Sequence, residues 1–128
     1  MTMHQSKVEW AERCPIRDVL ERLGERWSML VLMLLHENGS QRFSVLKREI
    51  GDISQRMLSQ TLRRLEQDGL VARTAHATVP PRVDYELTAL GHSFLKPMLG
   101  LVDWAQSHHE QVRAARQAYV SPPRHEAL

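Results

Sequence analysis

Apolar positions along the 128-residue chain change their spacing twice, which divides it into a helical stretch, a short β-hairpin and a final helix. Ile16, Val19, Leu20 and Leu23 recur at helical steps. Cys14-Pro15 opens that segment, since proline suits a first helical position, and Gly24 closes it. Trp27 through Leu35 is apolar almost all round; its leucines and methionines favour a buried helix over a strand, and Asn38-Gly39 stops it. A short piece around Phe43 leads to Ser44, the predicted N-cap of a helix over Val45–Ile50, and Gly51 supplies a turn. Ser54 is the predicted N-cap of the next helix, whose apolar face is Leu58, Thr61, Leu62 and Leu65 and whose end is marked by Asp68-Gly69.

After Leu70 the period falls to two. Leu70–Thr74 and Val83–Leu87 are β-compatible, the second alternating Val83, Tyr85 and Leu87 with charged residues, and His76–Pro81 joins them through a basic, proline-stiffened tip. Beyond Thr88 the helical period returns. Phe94, Met98, Leu101, Ala105, His108, Val112, Ala115 and Tyr119 recur at alternating steps of four and three, a heptad seam. Pro97 inside this stretch predicts a kink or a break into two helices. The expected class is mainly α with a small β-hairpin, α+β: a winged helix-turn-helix domain with a C-terminal dimerisation helix. An N-terminal segment over 1–13, the domain over 14–120 and a flexible tail over 121–128 complete the organisation.

Composition narrows the class. A 42% hydrophobic and 25% charged chain of this length suits one globular domain rather than a disordered or fibrous one. The longest apolar run, Met29 to Leu35, is far short of the roughly 20 residues a membrane span needs, and no apolar stretch follows Lys7 as a secretory signal would require. These features place the chain in the cytoplasm with no membrane partner. Charge is uneven. Residues 41–82 carry eight Lys/Arg against four Asp/Glu, whereas residues 1–40 carry five against six and residues 83–128 four against five. The surplus therefore coincides with the paired helices and hairpin, where it forms either a solvated basic patch or a surface facing a polyanion.

The chemistry of the paired helices decides between these. With Leu58, Leu62 and Leu65 inward, the second helix shows Gln55, Arg56, Ser59, Gln60 and Arg63 on its other side. Arginine can bond guanine O6 and N7 together, glutamine adenine N6 and N7, and serine either base, so these residues are the candidate readers of double-stranded DNA. Ser54 leaves the helix N-terminus facing a phosphate. Lys47, Arg48, Arg64, Arg73 and Arg82 are candidate phosphate clamps, which hold register without reading sequence, and His76 and Thr78 belong with them at the hairpin tip. An interaction module meeting an acidic protein, and a small-molecule receptor, are the competing readings. Seven histidines show no zinc-type spacing, and no phosphate loop, nucleophile elbow or carboxylate pair occurs, so neither a metal, a cofactor nor catalysis is expected.

Five stretches, in order, resemble the HxlR family of bacterial winged-helix transcriptional regulators: Cys14-Pro15, Leu23-Gly24-Glu25-Arg26-Trp27, Arg42 through Lys47, Ile53 through Glu66, and Val79 through Thr88. The resemblance spans roughly residues 12–118 and departs from the family pattern at Glu25, where a small residue is more usual. It implies a homodimer on an inverted-repeat operator, with Ser54–Asp68 as the recognition helix and His76–Arg82 as the wing tip, and the expected function is a sequence-specific regulator of transcription, read as a repressor.

A dimer also follows from geometry. One recognition helix reads few base pairs, and a twofold axis spaces two of them by about 34 Å, one DNA turn. Phe94, Met98, Leu101, Ala105, His108 and Val112 on the seam, with Ile16, Val19 and Leu20 on the first helix, are the expected interface. Cys14, the lone cysteine, sits at a helix start beside Arg13 and Arg17, which stabilise a thiolate, while Glu9 and Glu12 oppose it. It is either an inert packed thiol or a site for a small electrophile or oxidant. Some regulators of the resembled family use a matching cysteine as such a sensor, and with no second cysteine any disulfide is between subunits or with a small thiol.

Overall fold

A computed structural model of the chain describes residues 15–123. The helices are α1 (Pro15–Leu23), α2 (Arg26–Asn38), α3 (Phe43–Ile50), α4 (Gln55–Gln67) and α5 (Ala89–Ala118); the strands are β1 (Gln41–Arg42), β2 (Val71–His76) and β3 (Arg82–Leu87). By backbone contacts the chain forms two compact units, one ending at Leu95 and the other beginning at Lys96.

The core of the first unit is built around α2. Val31, Leu32 and Leu35 of that helix are almost wholly buried, together with Leu46 of α3, Ile53 in the turn, and Leu58, Leu62 and Leu65 of α4. Helix α2 packs against α4 and β3, and α4 packs against β2. Side chains three and four apart share a helix face, so the leucine spacing of α4 delivers one continuous stripe to this core.

The sheet is antiparallel in the order β1-β3-β2. The hairpin is the one expected, with its first strand beginning one residue later and ending two later, and its second beginning one residue earlier. A two-residue strand, Gln41–Arg42, adds to β3 with Gln41 opposite Tyr85 and Arg42 opposite Asp84. Such a strand is too short to show an alternation, and its partners Tyr85 and Asp84 lie more than 40 positions along the chain; only the tertiary fold reveals it. Because β1 ends at Arg42, α3 begins at Phe43 with Arg42 as its N-cap residue, and Ser44 falls inside the first turn instead of capping it.

Thr88 locks the base of the hairpin to α5. Its hydroxyl donates to the Gly69 carbonyl (2.5 Å) and accepts the Gly91 amide (3.0 Å), the bonding of a helix N-cap. Gly91 has no room for a side chain, because a Cβ there would collide with the Leu70 carbonyl. Helix α5 runs as one element through Pro97, so the expected break into two helices does not occur. The proline deprives only the Ser93 carbonyl of its helical donor, and both Ser93 and Pro97 are exposed, so water can satisfy that oxygen. No helix among the described residues is long and apolar enough to cross a membrane.

Candidate nucleic-acid interface

The site is assembled at the turn between α3 and α4. Gly51, at φ 88°, ends α3 in a backbone conformation that a side chain disfavours, and its amide returns to the Lys47 carbonyl (2.9 Å). Ile53 then drops into the core, and Ser54, in extended conformation, caps α4 by accepting the Met57 amide at 3.0 Å. The capped end leaves further amides of the first turn pointing outward with partial positive charge.

Along α4 the inward residues are Leu58, Thr61, Leu62 and Leu65. Gln55, Arg56 and Arg63 are exposed, and Ser59 and Gln60 lie half-buried at the margins. Gln67, exposed and four residues beyond Arg63, continues the stripe of Arg56, Gln60 and Arg63 by one more turn. The same spacing in the sequence would have found it. Lys47, half-buried, and Arg48, exposed, occupy the last turn of α3 and share with Gln55 an open cleft of about 480 Å³.

The remaining cations are distributed differently from a single clamp. Across β2 and β3, His76 stands opposite Arg82 and Arg73 opposite Tyr85. Successive strand residues face opposite sides, so Arg73 lies on one face of the hairpin while His76 and Arg82 lie on the other with Asp84. Asp84 is 7% exposed and carries the local network. Arg82 donates from Nε to Oδ1 (3.0 Å) and from Nη2 to Oδ2 (3.0 Å), and His76 Nε2 lies 3.1 Å from Oδ2. These bonds, Arg82's above all, hold the Asp84 carboxyl below its ordinary 3.8 against the opposing effect of burial, and the carboxylate in turn raises the Arg82 guanidinium. The i, i+2 spacing of Arg82 and Asp84 on a strand was the legible signal for this pair. Thr78, at the exposed tip, donates to the Pro80 carbonyl (2.8 Å).

Arg64 is engaged elsewhere. Its Nη1 donates to Glu25 Oε2 at 3.2 Å, and Arg22 approaches Asp68 at 3.8 Å, so the α1–α2 junction is tied to the C-terminal half of α4. Glu25, which the sequence placed at the helix junction alone, thus reaches the helix expected to read DNA.

Residues 22–113 match the family model described as HxlR-like helix-turn-helix. The uncharacterized HTH-type transcriptional regulator YtfH of Escherichia coli (strain K12) is 45% identical over 107 residues, 84% of each chain. The chain belongs to the HxlR-like helix-turn-helix family. It is a transcriptional regulator of helix-turn-helix type and not an enzyme. Among solved structures, a putative transcriptional regulator ytfH from Salmonella typhimurium matches with TM-score 0.75 and 42% identity over 83% of this chain and 94% of that one. The redox regulator HypR in its reduced form matches with TM-score 0.74 and 32% identity over 79% and 99%.

Within this HxlR-type fold the expected interface residues are unequal. Ile16, Val19 and Leu20 of α1 are 44–54% exposed, and Leu101 is 57% exposed. Ala105 is exposed, and Phe94, His108 and Val112 are half-buried. Met98, at 1% exposure, is already buried in the single chain and leaves the free seam, a correction to the even heptad stripe. Trp104, absent from that stripe, is 55% exposed and stacks on His108 with ring centroids 4.5 Å apart; His108 Nδ1 donates to the Trp104 carbonyl (2.9 Å). Cys14 lies outside the described residues. Among the described residues no group of His, Cys, Asp or Glu is arranged to hold a metal ion.

Proposed function

We propose that this regulator is a cytoplasmic homodimer that binds an inverted-repeat operator sequence-specifically and represses transcription. The observation that carries the reading is the division of α4: leucines and Thr61 on the core side, and Gln55, Arg56, Ser59, Gln60 and Arg63 on the other, at the end of a capped turn flanked by Lys47 and Arg48. Arginine and glutamine on a helix of this kind discriminate bases through paired hydrogen bonds, each worth about 1–3 kcal/mol against the wrong base. Dimerisation is supported by the exposed apolar residues of α1 and α5, which a second copy can cover.

Selection of bound fragments from a random duplex pool tests the assignment. A defined palindromic consensus is expected, and Arg56→Ala or Gln60→Ala relaxes it at particular positions. Binding without preference for any sequence overturns it in favour of an interaction module.

Cys14 is proposed as the sensing thiol, the fold being shared with the redox regulator HypR. Thiolate is the reacting form, and its neighbours Arg13 and Arg17 favour it. Treatment with a thiol oxidant should change operator affinity in the native chain and leave Cys14→Ser unaffected; equal affinity before and after removes the sensor.

A further inference from the structure

The wing and α3 enclose a feature that no single element announces. Strand β1 sets Arg42 directly opposite Asp84, and opposite residues of an antiparallel pair share a face, so Arg42, Asp84, Arg82 and His76 all stand on one side of the sheet. Asp84 is committed to Arg82 and His76. Arg42 is exposed, and no carboxylate among the described residues pairs with it. One uncompensated guanidinium therefore remains, beside Arg82, whose Nη1 is not needed by Asp84.

The two arginines line an open cleft of about 590 Å³. Its lining adds the hydroxyls of Ser44 and Thr78 and the apolar side chains of Phe43 and Val83. Phe43 and Ser44 also wall the second cleft, which continues past Lys47 and Arg48 to Gln55, the first residue of α4. The two clefts form one trough from the wing to the proposed reading helix.

We propose that this trough is a track for one strand of the DNA backbone, and that Arg42 is the phosphate ligand that anchors it at the wing end. The inference rests on the DNA-binding reading above and extends it to a residue that reading does not use. The occupant follows from chemistry and continuity. The cations in the lining, Arg42 and Arg82 in one cleft and Lys47 and Arg48 in the other, suit successive phosphates, the apolar lining suits the sugar between them, and the second cleft reaches Gln55. An acidic peptide shares the charge but has no reason to continue into a helix end bearing glutamine and arginine.

The test is binding of the full chain to a random-sequence duplex across a salt series, comparing the native protein with Arg42→Gln, Arg42→Lys and, as a remote charge control on α5, Arg116→Gln. Loss of one phosphate contact lowers the slope of log affinity against log salt by about 0.9. Arg42→Gln is expected to show that change with about a five-fold loss of affinity at low salt, Arg42→Lys to keep the native slope, and Arg116→Gln to match the native protein. Far-ultraviolet circular dichroism checks that the exposed substitution leaves the fold intact. If Arg42→Gln behaves as Arg116→Gln does while the native chain binds duplex, the trough assignment falls and the DNA reading stands. If the native chain binds no duplex but captures an acidic peptide, both fall.

Discussion

Helix α4 hides all four of its inward residues within one chain, whereas α5 beyond Lys96 leaves Leu99, Leu101 and Trp104 between 40 and 57% exposed. Both stretches carry apolar residues at helical spacing, so periodicity alone does not separate them. What separates them is supply. The first unit provides α4 with a partner surface from α2 and the sheet, and the exposed residues of α5 have no such cover in a single chain. An apolar stripe states that something must be buried and leaves open what buries it. In this regulator the contrast assigns stability to α4 and leaves the exposed residues of α5 available for the association proposed above.

The sharpest way to break that contrast is to cut both stripes. Leu62→Ala, at a site 1% exposed, should cost about 3 kcal/mol in urea-induced unfolding, through lost burial and the cavity left behind. Trp104→Ala should instead leave unfolding of the separated subunit within about 0.5 kcal/mol and weaken subunit association by about 2 kcal/mol, seen by sedimentation as a roughly thirty-fold rise in the dimer dissociation constant. An unchanged oligomeric state, or a large loss of subunit stability, would erase the distinction. Ser54→Ala sharpens the account of α4 from its end: losing the bond to Met57 should cost about 1 kcal/mol of stability. The smallest effect is local to the wing. Because Asp84's carboxyl sits below its ordinary 3.8, its stabilisation is complete above that value and disappears as the pH falls through the lowered folded one. The protection of β2 and β3 amides relative to their intrinsic exchange rates should therefore fall below about pH 4 in the native chain, a fall absent in Asp84→Asn.

How much of the site was legible in the sequence follows the range of the forces involved. The Ser54 cap, the leucine stripe and the polar face opposite it depend on residues within four positions of one another, and each stands where the residue spacing put it. Arg64 shows the opposite case. As an arginine on a basic helix it resembled its neighbours, yet it bonds Glu25, 39 positions earlier, and no local pattern signals that partner. Met98 is another such case, an equal member of a heptad seam by spacing but buried in fact.

By itself the chain's order of residues determined where the main helices run, the Ser54 cap, the hairpin, and the α4 face that carries glutamine and arginine, because backbone conformation and amphipathic phase are set by near neighbours. The tertiary structure alone decided that Gln41–Arg42 joins β3, that Arg42 and Arg82 share a cleft, and which arginines are already spoken for by Glu25 and Asp84. Those outcomes depend on which distant groups meet, and charge pairing acts across space without leaving any period along the chain.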